Sequence, residues 1–225
     1  MSPMGRIEAR LPIVGRIRLG TRERTKSGKI APRGSEHLIF SSESKGTLTR
    51  LSAHVGGAVE AWPDGPDAWR LISTIKSLAV QVPPMMMREP VYELWSAAGI
   101  QRRCDGVECE RAEETPDGPV LLPGPCICDP EHPECKMTVR VSVVIAQAPG
   151  LGVWMCTSHS TIAAGEIAGQ RRLLELTASP ALLPATIAIE QSRGRQGAPV
   201  PVLRLRFHVG LAEIGSVEAP RMLGA

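Results

Sequence analysis

The cysteines are the residues of this sequence whose type and spacing most directly suggest chemistry. Five of the six lie between positions 104 and 135 with the spacing C-x4-C-x16-C-x-C-x6-C, namely Cys104, Cys109, Cys126, Cys128 and Cys135. A structural zinc site takes four sulfur or nitrogen ligands in a tetrahedron and leaves no position for a catalytic water. Together with His132, the segment offers six candidate ligands for four positions. The pattern therefore predicts a closed structural zinc site, but the spacing alone does not choose its ligands.

The segment that carries these cysteines has little else to order it. Residues 104–135 are rich in Cys, Pro, Gly, Asp and Glu and have almost no hydrophobic periodicity, so they cannot bury a core by themselves. Metal binding would supply the missing free energy of folding. Two alternatives stay open: free cysteines in a floppy loop, or a catalytic cysteine, for which the sequence shows no paired His and Asp or Asn. Cys156 stands apart among apolar residues and is expected to be a small buried side chain.

Composition and motifs favour a cytoplasmic binding protein. Of the 225 residues, 43% are hydrophobic but only 3% are aromatic, so the core must be mostly aliphatic. The N-terminus lacks the apolar stretch of a signal peptide, and no run of about 18 apolar residues could span a membrane. The sequence contains no phosphate-binding loop, dinucleotide-binding glycine pattern or nucleophile elbow. We therefore expect no enzymatic activity.

Charge is distributed unevenly along the chain although the net charge is only +3. Residues 1–50 hold eleven basic and four acidic side chains, whereas residues 101–135 hold three basic and nine acidic ones. One basic and one acidic part suit a protein that docks onto a charged partner. Ordinary solvated surfaces are the alternative explanation.

A run of basic residues near the N-terminus is the candidate partner-binding segment. Only Glu23 opposes it, and its members are Arg16, Arg18, Arg22, Arg24, Lys26 and Lys29. Such a run can contact phosphates or an acidic protein surface. No aromatic residue lies between these positions, so the run does not predict a stacking platform for single-stranded nucleic acid. A solvated loop is the simpler alternative.

The hydrophobic pattern predicts an α+β fold of mainly antiparallel strands with two helices and a zinc-stapled, cysteine-rich insertion. One helix should contain Leu48, Leu51 and Val55 and end at Gly56-Gly57, and the second should begin after Ser158 or Ser160 and reach about Leu176. Strands are expected at 11–20, 37–42, 59–62, 69–82, 91–95, 99–103, 138–145, 152–157, 186–190 and 201–209. The four tryptophans fall on or beside these strands and are expected in the core: Trp62, Trp69, Trp95 and Trp154.

The same pattern suggests four consecutive parts. Residues 1–103 form an N-terminal α+β part, 104–136 the cysteine-rich zinc-binding insertion, 137–210 a C-terminal strand-helix-strand part, and 211–225 a tail. Residues 21–35 are polar and basic and contain a turn at Ser27-Gly28. No internal repeat is apparent.

Several segments, taken in order, resemble one known family. They are Gly15-Arg16-Ile17-Arg18-Leu19-Gly20, Thr25-Lys26-Ser27-Gly28-Lys29, the Gly56-Gly57 helix stop with Trp62, Tyr92-Glu93-Leu94-Trp95, Arg102-Arg103-Cys104-Asp105-Gly106, Pro125-Cys126-Ile127-Cys128, Cys135-Lys136, and Pro149-Gly150-Leu151-Gly152-Val153-Trp154 with Ser158-His159. The chain resembles the recombination directionality factors of actinobacterial phages and integrated elements, which partner large serine integrases. The likeness covers about residues 12–170 and is most specific from Tyr92 to Trp154.

This resemblance implies a ligand set and a function. By position, the zinc ligands would be Cys104, Cys126, Cys128 and Cys135, with Cys109 spare. Met137-Thr138-Val139-Arg140 and Thr161-Ile162 depart from the family pattern but involve no proposed ligand. The factor would bind a large serine integrase near its coiled-coil arm and switch it from integration (attP with attB) to excision (attL with attR).

The resemblance also implies little independent DNA binding and a place in the host bacterial cytoplasm. Two other functions stay open on the residues alone. One is a zinc-containing phage accessory protein that binds nucleic acid, and the other is a metal-dependent hydrolase.

Overall fold

The computed structural model describes residues 12–24, 30–83, 87, 89–115, 118–128, 134–177, 182–193 and 199–208. Within these residues the chain forms thirteen strands and two α-helices. The elements are β1 (Ile13–Arg24), β2 (Ile30–Ser42), α1 (Lys45–Val55), β3 (Ala58–Ala61), β4 (Trp69–Ile72), β5 (Ser77–Val82), β6 (Val91–Ser96), β7 (Gly99–Cys104), β8 (Glu108–Thr115), β9 (Gly118–Pro125), β10 (Lys136–Ile145), β11 (Val153–Ser158), α2 (Thr161–Thr177), β12 (Leu183–Arg193) and β13 (Pro199–Phe207). None of the described helices is long and apolar enough to cross a membrane.

The strands hydrogen-bond into one extended sheet. Its main path runs β3-β4-β2-β1-β11-β10-β6-β7-β8-β9, and β5 joins β10 to the β12-β13 pair. Of the described strand pairs, only β1 with β11 is parallel. The predicted α+β class, mainly antiparallel with two helices, is therefore confirmed. The parallel pairing aligns Ile17 with Cys156 and so places the first strand beside one from the last third of the chain.

The core lies where alternate strand residues meet the two helices. In β10 the buried aliphatic side chains are Val139, Val141, Val143 and Ile145, which is the period of two expected for a strand with one face on the core. Helix α1 adds Leu48, Leu51 and Val55, and α2 adds Ala163, Ala164 and Ile167. Cys156 is fully buried in the same cluster, as predicted.

Both helices begin at a serine that caps them. The Oγ of Ser44 accepts from the backbone N–H of Thr47 at 3.2 Å, and the Oγ of Ser160 accepts from that of Ala163 at 3.3 Å. These caps satisfy backbone donors that the first helical turn leaves unpaired. Ala168 of α2 is exposed and lines an open groove together with Met137.

Three predicted element boundaries were wrong. The segment 69–82 forms two strands, because the backbone at Ser73 and Ile75 pairs with Leu38 instead of continuing β4. The segment 21–35 was predicted as a polar turn region, but β1 extends to Arg24 and β2 starts at Ile30. The cysteine-rich segment contains the β8–β9 hairpin, which was predicted to have no regular structure and in which β8 exposes Glu108 and Glu110 and buries Cys109 between them. The proposed division into four parts stays a prediction; the tail 211–225 and the turn at Ser27-Gly28 lie outside the described residues.

Candidate metal centre and buried charge networks

The cysteine cluster begins at the turn between β7 and β8. Cys104 ends β7 and lies opposite Cys109 on β8. The carboxylate of Asp105 accepts backbone hydrogen bonds from Val107 at 2.7 Å and Glu108 at 2.8 Å, which closes the turn. The N–H of Gly106 then points at the sulfur of Cys104, at a distance of 3.1 Å. Gly106 has φ of 107°, a conformation that L side chains rarely adopt.

The remaining thiols reach the same place from the end of β9 and the start of β10. The N–H of Cys126 donates to the carbonyl of Val107 at 3.1 Å, which holds the chain after β9 against the β7–β8 turn. The thiols of Cys104 and Cys126 are hydrogen-bonded to each other. The sulfurs of Cys128 and Cys135 are 3.4 Å apart. Cys126 also interacts with Cys128 through its side chain, so the four thiols form one connected group.

Burial and the neighbouring thiols set the acidity of this group. Burial, with the hydrogen bond to Cys126, raises the pKa of Cys104 to about 11, and burial with the contact to Cys128 raises the pKa of Cys135 to about 12. The pKa of Cys126 is lowered, first by the backbone N–H of Cys128 and then by the Cys104 thiol. The guanidinium of Arg102 lies near, with its Nη1 3.9 Å from the sulfur of Cys128, and it also pairs with Glu134.

The donor set fits zinc in chemistry, although the side chains do not form a tetrahedral site as they stand. Among the described residues, no group of three or more His, Cys, Asp or Glu side chains is arranged to hold a metal ion. The sulfurs are the soft ligands that zinc prefers, and the Gly106 N–H and Arg102 guanidinium face sulfur atoms that would carry negative charge. Cys109 is buried, and its thiol donates to the carbonyl of Glu110 at 3.6 Å. His132 lies outside the described residues.

Only part of the N-terminal basic run lies within the described residues, and its first two arginines pair with a buried carboxylate. Arg16 and Arg18 of β1 both pair with Asp67, the second at 2.9 Å, and Asp67 also accepts from the Oγ of Ser41 at 2.6 Å. The guanidinium of Arg18 additionally stacks on Trp62, 5.4 Å from the ring centroid. The side chains of Arg22 and Arg24, and the whole of Lys26 and Lys29, lie outside the described residues.

A second charge network, which the sequence did not predict, surrounds Glu93 of β6. This carboxylate accepts two hydrogen bonds from Arg140 of β10, at 2.7 and 2.5 Å, and one from the indole N–H of Trp95 at 2.9 Å. Arg103 of β7 lies 3.5 Å away. Burial opposes ionisation of Glu93, but the hydrogen bonds from Arg140 and Trp95 and the two arginine charges hold its pKa below the usual range. The one feature of the sequence that could have indicated this network is Glu93 itself, an acidic residue inside a predicted strand with apolar neighbours on both sides.

The tryptophans divide between core and surface. Trp154 and Trp62 are buried as predicted, and Trp69 is half-buried. Trp95 contradicts the prediction, because 57% of its surface is exposed. It shares a face of β6 with Glu93, and its ring covers the Glu93–Arg140 pair instead of entering the core, with the Arg140 guanidinium 6.0 Å from the ring centroid.

A family model described as Gp3-like, recombination directionality factor-like, matches residues 14–208. No curated protein and no solved structure was found to match the chain.

Proposed function

The chain belongs to the recombination directionality factor-like family, and on this premise we propose that it switches a large serine integrase from integration to excision. The observation that carries the proposal is the extent of the family match. It runs from residue 14 to residue 208 and so includes every described strand and both helices, with the cysteine group between them. The family implies interaction with a recombinase or integrase. The finer proposal is that the factor binds the integrase near its coiled-coil arm, within the host bacterial cell.

Such a factor needs no catalytic residue of its own, because the recombinase performs the strand exchange. It acts by binding one arrangement of the integrase–DNA complex more tightly than another, and its effect is limited by that difference in affinity. A rigid sheet with preformed surface features suits this task, because little free energy is then spent on ordering the factor.

We propose further that the four connected thiols bind one structural zinc ion, through Cys104, Cys126, Cys128 and Cys135. The chemistry of the donor set supports this, as do the N–H of Gly106 and the guanidinium of Arg102 beside two of the sulfurs. When bound, zinc would be held as a tetrathiolate and would supply folding free energy to the end of the β8–β9 hairpin. Cys109 is the spare cysteine, since its thiol already has a carbonyl partner.

The zinc proposal is tested by comparing two single substitutions in the full chain. Purified protein should carry about one zinc per chain, as expected for four thiolates around one ion. Cys128→Ser should lose most of the zinc, whereas Cys109→Ser should keep it, as measured by elemental analysis together with thermal unfolding. Equal zinc loss in the two variants would mean that the ligand set is different, and no zinc in active wild-type protein would remove the proposal.

The functional proposal is tested by recombination in vitro. The integrase encoded by the same genetic element is incubated with attL and attR, and separately with attP and attB, each with and without this protein. Excision that requires the protein, with integration suppressed, is the expected result. No effect of folded protein in excess on either pair would contradict the proposal.

A binding titration with bare duplex DNA provides the second arm of this experiment. Tight binding with a steep salt dependence would favour a nucleic-acid-binding accessory protein instead. The pairing of Arg16 and Arg18 with Asp67 leaves fewer of the basic run's charges available for phosphates, which favours the protein-binding function.

A further inference from the structure

Trp95 is a large aromatic side chain that is exposed and yet held in place. More than half of its surface is accessible, while its indole N–H donates to the buried carboxylate of Glu93 at 2.9 Å. Glu93 in turn accepts two hydrogen bonds from Arg140, whose guanidinium also lies against the Trp95 ring. A side chain ordered in advance loses little conformational entropy when a partner covers it. Tryptophan and arginine are also the residues most enriched among those that dominate binding energy at protein interfaces.

Arg103 beside this tryptophan has unused capacity for hydrogen bonding. Its contacts with carboxylates are long: the Nη2 donates to Glu93 at 3.5 Å, the Nε lies 3.5 Å from the same oxygen, and the Nη1 lies 3.9 Å from Glu110. These distances are at or beyond the limit of a good hydrogen bond. A guanidinium has five N–H donors in a fork that fits a carboxylate. Arg103 is therefore available for a carboxylate from outside the chain.

A cleft of about 370 Å³ adjoins this network on the same face of β6 and β10. Among the described residues, the charged side chains lining it are Arg103, Arg140, Arg171, Glu89 and Glu93, which leaves an excess of one positive charge. The cleft is large enough for an acidic side chain and complementary to it in sign.

We propose that this face, formed by Trp95, Arg103, Arg140 and the adjoining cleft, is the surface that docks onto the serine integrase. Trp95 enters an apolar hollow of the integrase, and an aspartate or glutamate beside that hollow enters the cleft and pairs with Arg103. The inference rests on the proposed function and adds to it the surface and the partner chemistry. We refer to these residues below as the Trp95 surface.

The test is a binding titration of the full, zinc-supplemented chain against the purified integrase. Trp95→Ala should weaken binding by at least about 30-fold, the loss typical of a dominant interface residue. Its matched control is Ile72→Ala, which removes another exposed apolar side chain, on β4. Arg103→Ala should also weaken binding, and its control is Arg206→Ala, an exposed arginine of β13 that pairs with Glu190. Both controls should stay within about 3-fold of wild type.

Tryptophan fluorescence provides a readout that a merely structural role would not change. Trp95 is the exposed indole of the four, so its burial by the integrase should shift the emission to shorter wavelength, and Trp95→Phe should abolish that shift. Circular dichroism and zinc content of each variant report whether the fold is intact, and Trp95→Phe serves as the milder variant if Trp95→Ala unfolds.

The outcomes separate this inference from the function on which it rests. If the wild-type chain neither binds the integrase nor promotes excision, both are overturned. If wild type does both, and folded Trp95→Ala binds and promotes excision within about 3-fold of it, only the Trp95 surface is wrong. A substitution that weakens binding to bare att DNA and leaves integrase binding intact would assign the surface to nucleic acid and overturn the inference.

Discussion

Replacing Asp67 with alanine should destabilise the protein by about 3 kcal/mol, although Asp67 lies in the turn between β3 and β4. Its carboxylate is 4% exposed and joins this turn to two strands, through Arg16 and Arg18 of β1 and Ser41 of β2. The substitution removes the only carboxylate that these side chains are shown to share among the described residues. It leaves the charge of Arg18 partly buried, because its side chain is only 25% exposed.

The magnitude follows from the individual contacts. A hydrogen bond to a charged group contributes about 1.5–3 kcal/mol net, and Asp67 accepts one from Arg18 at 2.9 Å and one from Ser41 at 2.6 Å. The pair with Arg16 adds at most about 0.5 kcal/mol, since the Arg16 side chain is 42% exposed and solvent screens it. Ser41 keeps its hydrogen bond from the Nε of Arg18, at 2.8 Å, in the variant. The expected cost of Asp67→Ala is therefore at the lower end of the range that the two lost hydrogen bonds allow, about 3 kcal/mol.

The pH dependence of this effect has a definite sign. Burial of Asp67 opposes ionisation, but the hydrogen bonds from Ser41 and Arg18 and the charges of Arg16 and Arg18 outweigh it and lower the pKa of the carboxyl. A carboxyl with a lowered pKa in the folded state stabilises the fold above its unfolded-state pKa of about 3.9. That stabilisation is lost as the pH falls through the folded-state pKa. The stability difference between wild type and Asp67→Asn should therefore be constant above about pH 5 and shrink below about pH 4.

Urea denaturation at several pH values measures these quantities, with Glu60→Ala as the control. Glu60 pairs with Arg70 at 2.6 Å, but it is 49% exposed, so its loss should cost below about 1 kcal/mol. In thermal unfolding, Asp67→Ala should lower Tm by roughly 6–12 °C, from about 2–4 °C per kcal/mol for a chain of this size. A cost of Asp67→Ala no greater than that of Glu60→Ala would refute the reasoning.

Two further predictions concern close packing and the Glu93 network. Gly15→Ala should cost about 1–3 kcal/mol in urea denaturation, because the added Cβ would collide with the Trp154 ring and lie 2.6 Å from the carbonyl oxygen of Ser41. A stability equal to wild type would show that the ring moves aside freely. Glu93→Gln should cost about 2–4 kcal/mol, since it leaves the largely buried guanidinium of Arg140 without its carboxylate. The same variant should raise the mobility of Trp95, measured as a lower fluorescence anisotropy, and unchanged anisotropy would contradict the proposed ordering of that ring.

Elements held by local patterns were predictable, and those held by distant partners were not. Helix α1 followed from the spacing of its buried residues and from Gly56, where the chain leaves the helix with φ of 67°. Strand β10 followed from its alternation of buried and half-buried side chains. The parallel pairing of β1 with β11 has no such local signal, because it joins Ile17 to Cys156 across most of the chain. The same holds for Arg18 and Asp67, which are 49 positions apart.

The β8–β9 hairpin was missed for a different physical reason. Its strand alternation is present, with buried Cys109 between exposed Glu108 and Glu110, but the buried position holds a cysteine instead of an aliphatic residue. A thiol can be either a small buried apolar group or a metal ligand. The sequence pattern alone therefore could not show that Cys109 is a buried residue of a strand. For Trp95, the register of β6 against β7 shifts between Leu94 and Trp95, an irregularity that the sequence pattern does not show.

The placement of β7 links the cysteine group to the Trp95 surface through the backbone. Side chains alternate along a strand, so Arg102 and Cys104 lie on the face that carries the thiols, and Arg103 lies on the opposite face beside Glu93. Whatever orders Cys104 therefore fixes the backbone that carries Arg103. In this arrangement a zinc ion, as proposed here, would have a purely positional role: it would hold the end of β7 so that Arg103 meets an incoming carboxylate in one orientation. That role needs no open coordination position, which agrees with a set of four thiols and with a protein that acts by binding.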